Sequence, residues 1–93
     1  MSLEELSTKY ISVTERVLGE LQRVQGSLTV TKESVDSVLE YVTSYLQDAK
    51  YYKAQKRFET SLTSIAYCEG LLDALRLIGA LKFEWPAKPR SEK

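Results

Sequence analysis

The chain is 93 residues long, with 43% hydrophobic and 28% charged residues, a composition typical of one globular domain rather than a disordered chain. Thirteen basic and thirteen acidic residues cancel, so no net field attracts the protein to nucleic acid or to a membrane. No run approaches the ~20 consecutive apolar residues of a membrane span. The first ten residues, MSLEELSTKY, carry acids where a secretory signal carries bases. We therefore expect a cytoplasmic protein with no membrane partner.

Two residue counts limit the chemistry that the protein can perform. The absence of histidine excludes the usual acid–base residue, histidine-based zinc sites and the standard catalytic triads. Cys68 is the single cysteine, so no internal disulfide can form and the fold must be held by packing. No glycine-rich phosphate-binding loop occurs either. We predict a non-enzymatic protein with no catalytic residue, no metal site and no cofactor.

A first helix is predicted over residues 3–25. Ser2 and Glu5 have the spacing of a capping box, in which each side chain accepts the backbone amide of the other residue. The apolar residues that follow lie in a stripe roughly 80° wide at 100° per residue, which is typical of a helix packed in a bundle. They are Leu3, Leu6, Tyr10, Val13, Val17, Leu21 and Val24. Gly26 is the expected stop.

A second and a third helix are predicted over residues 32–54 and 58–78, with Thr29 or Thr31 capping the former and Gly79 ending the latter. Their apolar seams are Val35, Val38, Leu39, Val42, Leu46 and Ala49, and Phe58, Leu62, Ile65, Cys68, Leu72 and Leu75. The short connections predict an all-α fold, a three-helix up-down-up bundle over residues 1–81. Residues 82–93 are predicted to be an extended to disordered C-terminal tail, interrupted by two prolines.

One group of charged residues is a candidate polar pocket between the second and third helices, and consists of Asp48, Glu69, Asp73 and Arg76. Helical periodicity places Glu69 inside the apolar band, where a carboxylate needs a partner, and Arg76 is the nearest candidate. The alternative is an ordinary surface ion pair where the band meets solvent. Gly70 interrupts the same helix, which suggests close approach of another backbone, from the tail or from a second chain.

Two groups of aromatic and apolar residues form a candidate interaction surface. Tyr41, Tyr45 and Tyr52 lie on one edge of the second helix together with Asp48, within reach of the Tyr45 and Tyr52 hydroxyls. The tail contributes Leu81, Phe83 and Trp85, which share one face of an extended segment. Tyrosine is favoured at protein interfaces, although at a bundle edge its ring also serves to cover the core.

The predicted tip between the second and third helices is basic. Its cations are Lys50, Lys53, Lys56 and Arg57, and no acid lies among them. With Tyr51 and Tyr52 beside them, they form a candidate nucleic-acid patch that would hold phosphate while a ring stacks on a base. The other interpretation is that lysine and arginine simply complement the dipole at a helix C-terminus. The zero net charge argues against the nucleic-acid interpretation.

Three blocks of the sequence follow one another in a recognisable order: residues 48–52 read DAKYY, Phe58 and Ser61 are three residues apart, and residues 67–74 read YCEGLLDA. In order and spacing these blocks resemble an archaeal family, domain-of-unknown-function family 357, whose pattern reads roughly D-A-K-Y-F, a K-G-D turn, Y-x-x-A and Y-A-H-G-x-L-D-A. Phe58 and Ser61 stand at the Y-x-x-A positions, and the last block is matched by Tyr67, Gly70, Leu72, Asp73 and Ala74. Residues 9–15 are similar to the opening helix of the family, so the resemblance spans about residues 3–83.

The resemblance implies a three-helix bundle and an archaeal source, and it implies no activity. It also makes Asp48, Gly70 and Asp73 candidates for one shared site or interface. The chain departs from the pattern at three places: residues 55–57 read QKR where the family has its K-G-D turn, Cys68 replaces an alanine, and Glu69 replaces a histidine. Any chemistry that depends on that histidine in relatives is therefore not expected in this chain.

These observations favour a non-enzymatic helical protein-interaction module, one that self-associates or docks on a protein partner. One alternative is a nucleic-acid or nucleotide-binding accessory protein that uses the basic tip at residues 50–57. A second alternative is a small-ligand binder with a polar pocket between the second and third helices. The expected partner is a protein or a second copy of the chain, ahead of nucleic acid.

Overall fold

The computed structural model describes residues 1–86, which form three α-helices and no strand. The helices are α1 (Leu3–Glu20), α2 (Lys32–Ala54) and α3 (Phe58–Leu77). The all-α class and the three helices predicted from the sequence are thereby confirmed. α2 spans the residues predicted for it, and α3 ends one residue before its predicted end. No helix in the described part of the chain is both long and apolar enough to cross a membrane.

The helix starts follow local capping signals. Ser2 Oγ accepts the amide of Glu5 at 3.0 Å, and the Glu5 carboxylate accepts the amide of Ser2 at 2.8 Å, which confirms the capping box. Of the two candidate caps for α2, Thr31 is the one used, because its hydroxyl oxygen accepts the amide of Ser34 at 3.0 Å. These contacts satisfy amides that have no partner inside the helix.

α1 ends at Glu20, five residues before the predicted end at residue 25. Leu21 is already extended, at ψ 153°, although its amide still donates to the carbonyl of Val17. Gly26 has φ +82° but lies beyond the helix. Gly19 lowers the helix propensity of the last turn, and no neighbouring element packs on that turn to compensate.

α2 and α3 form an antiparallel hairpin whose register is fixed by two side-chain hydrogen bonds. Ser61 Oγ donates to the carbonyl of Ala49 at 2.7 Å, and Cys68 Sγ donates to the carbonyl of Val42 at 3.4 Å. The two bonds are seven residues apart on each helix, which is two turns, and the small side chains let the helices approach closely. The residues buried in this seam are Val42, Ala49, Cys68 and Leu75.

The two sides of the hairpin seam differ. On one side, hereafter the closed side, the rings of Tyr45 and Tyr67 pack with centroids 4.4 Å apart. On the other side, hereafter the open side, helical periodicity places six further apolar residues of the two predicted seams. Leu39, Leu46, Ile65 and Leu72 are half-buried there, and Phe58 and Leu62 are exposed.

Both helices of the hairpin end in a Schellman motif. At the end of α2, the amide of Arg57 donates to the carbonyl of Tyr52, and Lys56 takes a left-handed conformation with φ +62°. At the end of α3, Gly79 occupies the equivalent position with φ +83°. At Lys56 a lysine therefore adopts a backbone conformation that favours glycine.

α1 contacts neither of the other helices in the described chain. Along its apolar stripe only Leu6 is half-buried, and the other members are exposed. The radius of gyration is 16.2 Å, whereas a compact chain of this length has about 12 Å. The hairpin is therefore the only packed unit among residues 1–86, and the up-down-up arrangement, which concerns where α1 lies, stays a prediction. The predicted disorder of the last residues falls on 87–93, outside the described part.

Candidate functional site

One carboxylate oxygen on α3 accepts three hydrogen bonds. Asp73 Oδ1 accepts from Arg76 Nε at 3.0 Å, from Arg76 Nη2 at 2.7 Å and from the indole Nε1 of Trp85 at 3.0 Å. The hydrogen bond from Trp85, and then that from Arg76, hold the pKa of Asp73 below its ordinary value. This cluster ties the C-terminal segment to α3.

Trp85 and α3 enclose an open cleft of about 450 Å³, lined by Ala66, Glu69, Gly70, Asp73, Trp85 and Pro86. Glu69 is half-buried at its wall, and Arg76, its predicted partner, pairs with Asp73 instead. A Cβ added to Gly70 would meet no atom within 4 Å. Within residues 1–86 no other backbone approaches Gly70 closely, because the segment contacts α3 at Asp73 and leaves the space beside the glycine open.

Asp48 does not join the other three residues of the predicted polar pocket. The Ser61–Ala49 hydrogen bond sets Asp48 level with Leu62, eleven residues or about 16 Å along the axis from Asp73. Periodicity also places Asp48 on the closed side of the hairpin, whereas Asp73 lies toward the open side. Asp73, Arg76 and Glu69 come together because they lie within two turns of one helix.

Two of the three tyrosines predicted to form an interaction surface on α2 make contacts within the hairpin. The ring of Tyr45 packs on that of Tyr67. The guanidinium of Arg57 lies over the ring of Tyr52, 4.9 Å from its centroid. Tyr41 is exposed. Among the hydrogen bonds of residues 1–86, none joins Tyr45 or Tyr52 to the Asp48 carboxylate.

The C-terminal part of the predicted interaction surface folds back on the chain. Phe83 and Trp85 share a face, as the alternating pattern predicts, and their rings meet edge to face with centroids 5.0 Å apart. Leu81 and Phe83 are half-buried, and 39% of Trp85 is exposed. These side chains are thus largely occupied by contacts within the chain.

The basic tip keeps three of its four cations free of aromatic contacts. Lys50, Lys53 and Lys56 are exposed, while Arg57 is engaged on Tyr52. Tyr51 is exposed beside them, and its ring meets that of Tyr52 edge to face. The tip therefore presents a small positive surface.

The apolar face of α1, which the sequence predicts to lie in the core of the bundle, is exposed along most of its length. A narrow apolar stripe has the same pattern whether its cover comes from the same chain or from another. The sequence gives no warning of this, because the connection predicted from it, residues 26–31, has the usual length of about 2–8 residues for a bundle. The longer connection over residues 21–31 appears only in the structure, where α1 ends at Glu20.

Comparison with known proteins adds one finding. A family model described as "Protein of unknown function (DUF357)" matches residues 9–81, which include most of α1 and the whole hairpin. No curated protein and no solved structure matches the chain. Because the matched region covers most of its 93 residues, the chain belongs to the DUF357 family of proteins of unknown function.

Proposed function

We propose that the protein is a helical protein-interaction module that self-associates through the apolar face of α1. The observation that supports this proposal is the state of that helix: it carries an apolar stripe of bundle type, yet it packs on no other element of the described chain. Helices in proteins take most of their stability from packing of the apolar face, and α1, with 18 residues, has no such packing against another helix within residues 1–86. Covering its apolar face would supply the missing stabilisation, at about 1.5–3 kcal/mol for each large side chain fully buried.

The exposed area supports an interface of substantial size. The chain exposes 8445 Å², whereas a compact folded monomer of 10.6 kDa exposes about 5,500 Å². The difference, roughly 3,000 Å² per chain, is more than the roughly 1,000–2,500 Å² that each partner contributes to an obligate dimer, so covering the face of α1 needs to account for only part of it. Exposed apolar patches much larger than a few hundred Å² are rare on soluble monomers, and they mark interaction sites.

Light scattering of the purified protein over a range of concentrations tests the proposal. We expect a mass of twice the 10.6 kDa chain that falls toward the monomer on dilution. Val13→Glu places a charge in the middle of the apolar stripe and should shift the protein to monomer. Ser12→Glu adds the same charge beside it, about 140° from the centre of the stripe, and should leave the mass unchanged. A wild-type monomer at every concentration would contradict the proposal, as would an equal response of the two variants.

A second candidate function rests on the basic tip, where exposed lysines and exposed Tyr51 lie together. RNA bound there should show an affinity that falls steeply with salt, because phosphate contacts release counterions. The double variant Lys53→Glu, Lys56→Glu should then abolish binding. Binding that is unchanged in that variant would dispose of this candidate.

A further inference from the structure

The cleft between Trp85 and α3 has the size and the lining of a small-molecule site. Its volume of about 450 Å³ lies within the roughly 300–1,000 Å³ typical of ligand pockets. Trp85 and Pro86 line it from the C-terminal segment, and Ala66 and Gly70 line it from α3 without a bulky side chain. A Cβ at Gly70 would meet no atom within 4 Å. A ligand in the cleft can therefore approach the helix backbone.

The aromatic wall of the cleft is held in place by contacts within the chain. The indole of Trp85 donates to Asp73 at 3.0 Å, and its ring meets that of Phe83 edge to face with centroids 5.0 Å apart. The amide of Leu81 donates to the carbonyl of Leu75, which ties the backbone of the same segment to α3. Even so, 39% of Trp85 remains exposed. A fixed aromatic surface favours binding, because less conformational freedom is lost when a ligand arrives.

Several features of the cleft destabilise the chain and have no compensating contact within residues 1–86. Glycine inside a helix is less favourable than alanine, and no neighbour approaches Gly70 closely enough to require it. The Glu69 carboxylate is half-buried and has neither a hydrogen bond nor an ion pair in that part of the chain. Glu69 and Asp73 are four residues apart on one helix, a spacing at which like charges repel. Local conflicts of this kind are typical of functional sites.

The carboxylates of the cleft have acceptor oxygens that the described chain leaves open. All three hydrogen bonds to Asp73 fall on Oδ1, and no donor among residues 1–86 reaches Oδ2. Side chains one turn apart have Cβ atoms about 5–6 Å apart, so one ammonium nitrogen between Glu69 and Asp73 can donate to both. Two carboxylates against the single guanidinium of Arg76 leave a net negative charge at the cleft. The site is therefore complementary to a cation.

We propose that this cleft binds the ammonium group of an aliphatic amine, with Glu69 and Asp73 accepting its hydrogen bonds and Trp85 packing on its alkyl chain. Charge-assisted hydrogen bonds are roughly twice as strong as neutral ones, which favours an ammonium over a hydroxyl group. An indole face also attracts a cation that lies within about 6 Å of its centroid. The lysine side chain of a protein and a free amine share this chemistry. The site is separate from the apolar face of α1, so the proposal does not depend on self-association.

Titration of Trp85 fluorescence with n-butylammonium chloride tests the proposal. Trp85 is the only tryptophan of the chain. Near pH 7, where aliphatic amines are protonated, the probe should give a saturable change in emission. It should also lower the quenching by acrylamide, because it covers exposed indole. 1-Butanol, which has the same alkyl chain without the charge, and potassium chloride at the same ionic strength should have neither effect.

Variants of the cleft identify the groups that bind the probe. Glu69→Gln keeps the shape of the side chain and should weaken binding by about tenfold or more, because an acceptor of charge-assisted hydrogen bonds is lost. Gly70→Leu places a side chain in the cleft and should abolish binding. The fold should tolerate it, because the space is open and leucine is a better helix former than glycine. Glu59→Gln changes an exposed glutamate in the first turn of α3 and should leave the affinity unchanged. Helical circular dichroism of each variant checks its folding.

A second probe separates the two sources of the ligand. Nα-acetyl-lysine methylamide carries the same ammonium group on a peptide backbone. Binding of both probes supports a lysine side chain of a protein as the ligand, and binding of n-butylammonium alone supports a free amine. The proposal is overturned if neither probe gives a saturable change, if 1-butanol has an equal effect, or if Glu69→Gln and Glu59→Gln bind n-butylammonium equally well.

Discussion

The indole N–H of Trp85 donates to Asp73 Oδ1 across 3.0 Å, and this bond joins two residues that are twelve positions apart. The same oxygen accepts two bonds from Arg76, so the carboxylate anchors the C-terminal segment on the last turns of α3. The Leu81 amide of this segment also donates a hydrogen bond to the carbonyl of Leu75. The C-terminal segment is thus attached to α3 through both backbone and side chain, at one edge of the open cleft.

Replacing Asp73, whose carboxylate accepts the hydrogen bond from the indole, should release Trp85 from α3. The chain has one tryptophan, so its intrinsic fluorescence reports this residue alone. In Asp73→Ala we expect a red-shifted emission and stronger quenching by acrylamide, because the indole loses its partner and becomes more exposed to water. Glu69→Ala removes a carboxylate that lines the same cleft and should leave the emission unchanged. Identical spectra for wild type and Asp73→Ala would show that the bond does not hold the segment.

The attachment should also depend on acid pH. The hydrogen bonds from Trp85 and Arg76 lower the pKa of Asp73 from its ordinary value of 3.8. A lowered pKa in the folded state means that the contribution of this group to stability is fully present above pH 3.8 and is lost as the pH falls through the lower, folded-state pKa. A titration of Trp85 fluorescence should therefore show a transition with its midpoint below 3.8.

Variants identify the group responsible for that transition. Asp73→Asn should abolish it, because the carboxylate that accepts the bond from the indole is no longer present. Arg76→Gln should move the midpoint upward, because one of the interactions that favour the charged carboxylate is lost. Helical circular dichroism recorded over the same range separates release of the segment from unfolding of the hairpin. A midpoint at or above 3.8 in the wild type would contradict the assignment.

Two leucines of the same helix should respond very differently to truncation. Leu75 is 6% exposed in the seam with α2, and Leu77 is 71% exposed. Leu75→Ala should lower the free energy of unfolding by about 2–5 kcal/mol, which in a hairpin this small is enough to abolish folding. Leu77→Ala should change it by about 0.5 kcal/mol or less. Urea unfolding followed by helical circular dichroism measures both, and equal effects would mean that the α2–α3 seam is misplaced.

A glycine in place of Lys56 at the tip of the hairpin should make the folded hairpin more stable. The left-handed conformation of Lys56 costs a non-glycine residue about 1–2 kcal/mol. A glycine at position 56 would avoid this cost, but its greater freedom in the unfolded chain offsets about 0.5–1 kcal/mol of the stability gained. Lys56→Gly should therefore raise the free energy of unfolding by roughly 0.5–1 kcal/mol.

Gly79 provides the reciprocal control for this prediction. It has the equivalent position at the end of α3 with φ +83°, and a Cβ there would meet no atom within 4 Å. Gly79→Ala should thus destabilise the hairpin through the backbone alone, by roughly 0.5–1 kcal/mol after the same offset for glycine in the unfolded chain. If Lys56→Gly lowers the urea midpoint, the lysine must contribute more through its side chain than its backbone conformation costs.

Sequence reasoning succeeded where the information is local. The capping box of Ser2 and Glu5 spans three residues, and the Asp73–Arg76 pair spans one turn, so chain connectivity alone brings these groups together. The break between α2 and α3 was placed at residues 54–57 without a glycine or proline to mark it, and the helices do separate there.

It failed where distant parts of the chain have to meet. Asp48 was grouped with Asp73, but the register of the hairpin places them about 16 Å apart along its axis, and no spacing rule within one helix contains that register. The hydrogen bond from the indole of Trp85 to Asp73 likewise joins residues twelve positions apart, and no pattern in the sequence predicts it. Helix α1 was expected to end at residue 25 because its apolar spacing continues to Val24, but apolar spacing without a packing partner does not keep the last turns helical.

The amino-acid order by itself determined the helices, their caps and the apolar stripe of each, because propensity, capping and periodicity act over a few neighbouring residues. The tertiary structure alone decided which stripes are covered: those of α2 and α3 meet in a seam set by Ser61 and Cys68, and that of α1 remains open. The physical reason is that the hydrophobic effect is not directional. An apolar stripe in the sequence therefore predicts that its residues will be buried, but it does not predict which surface will bury them.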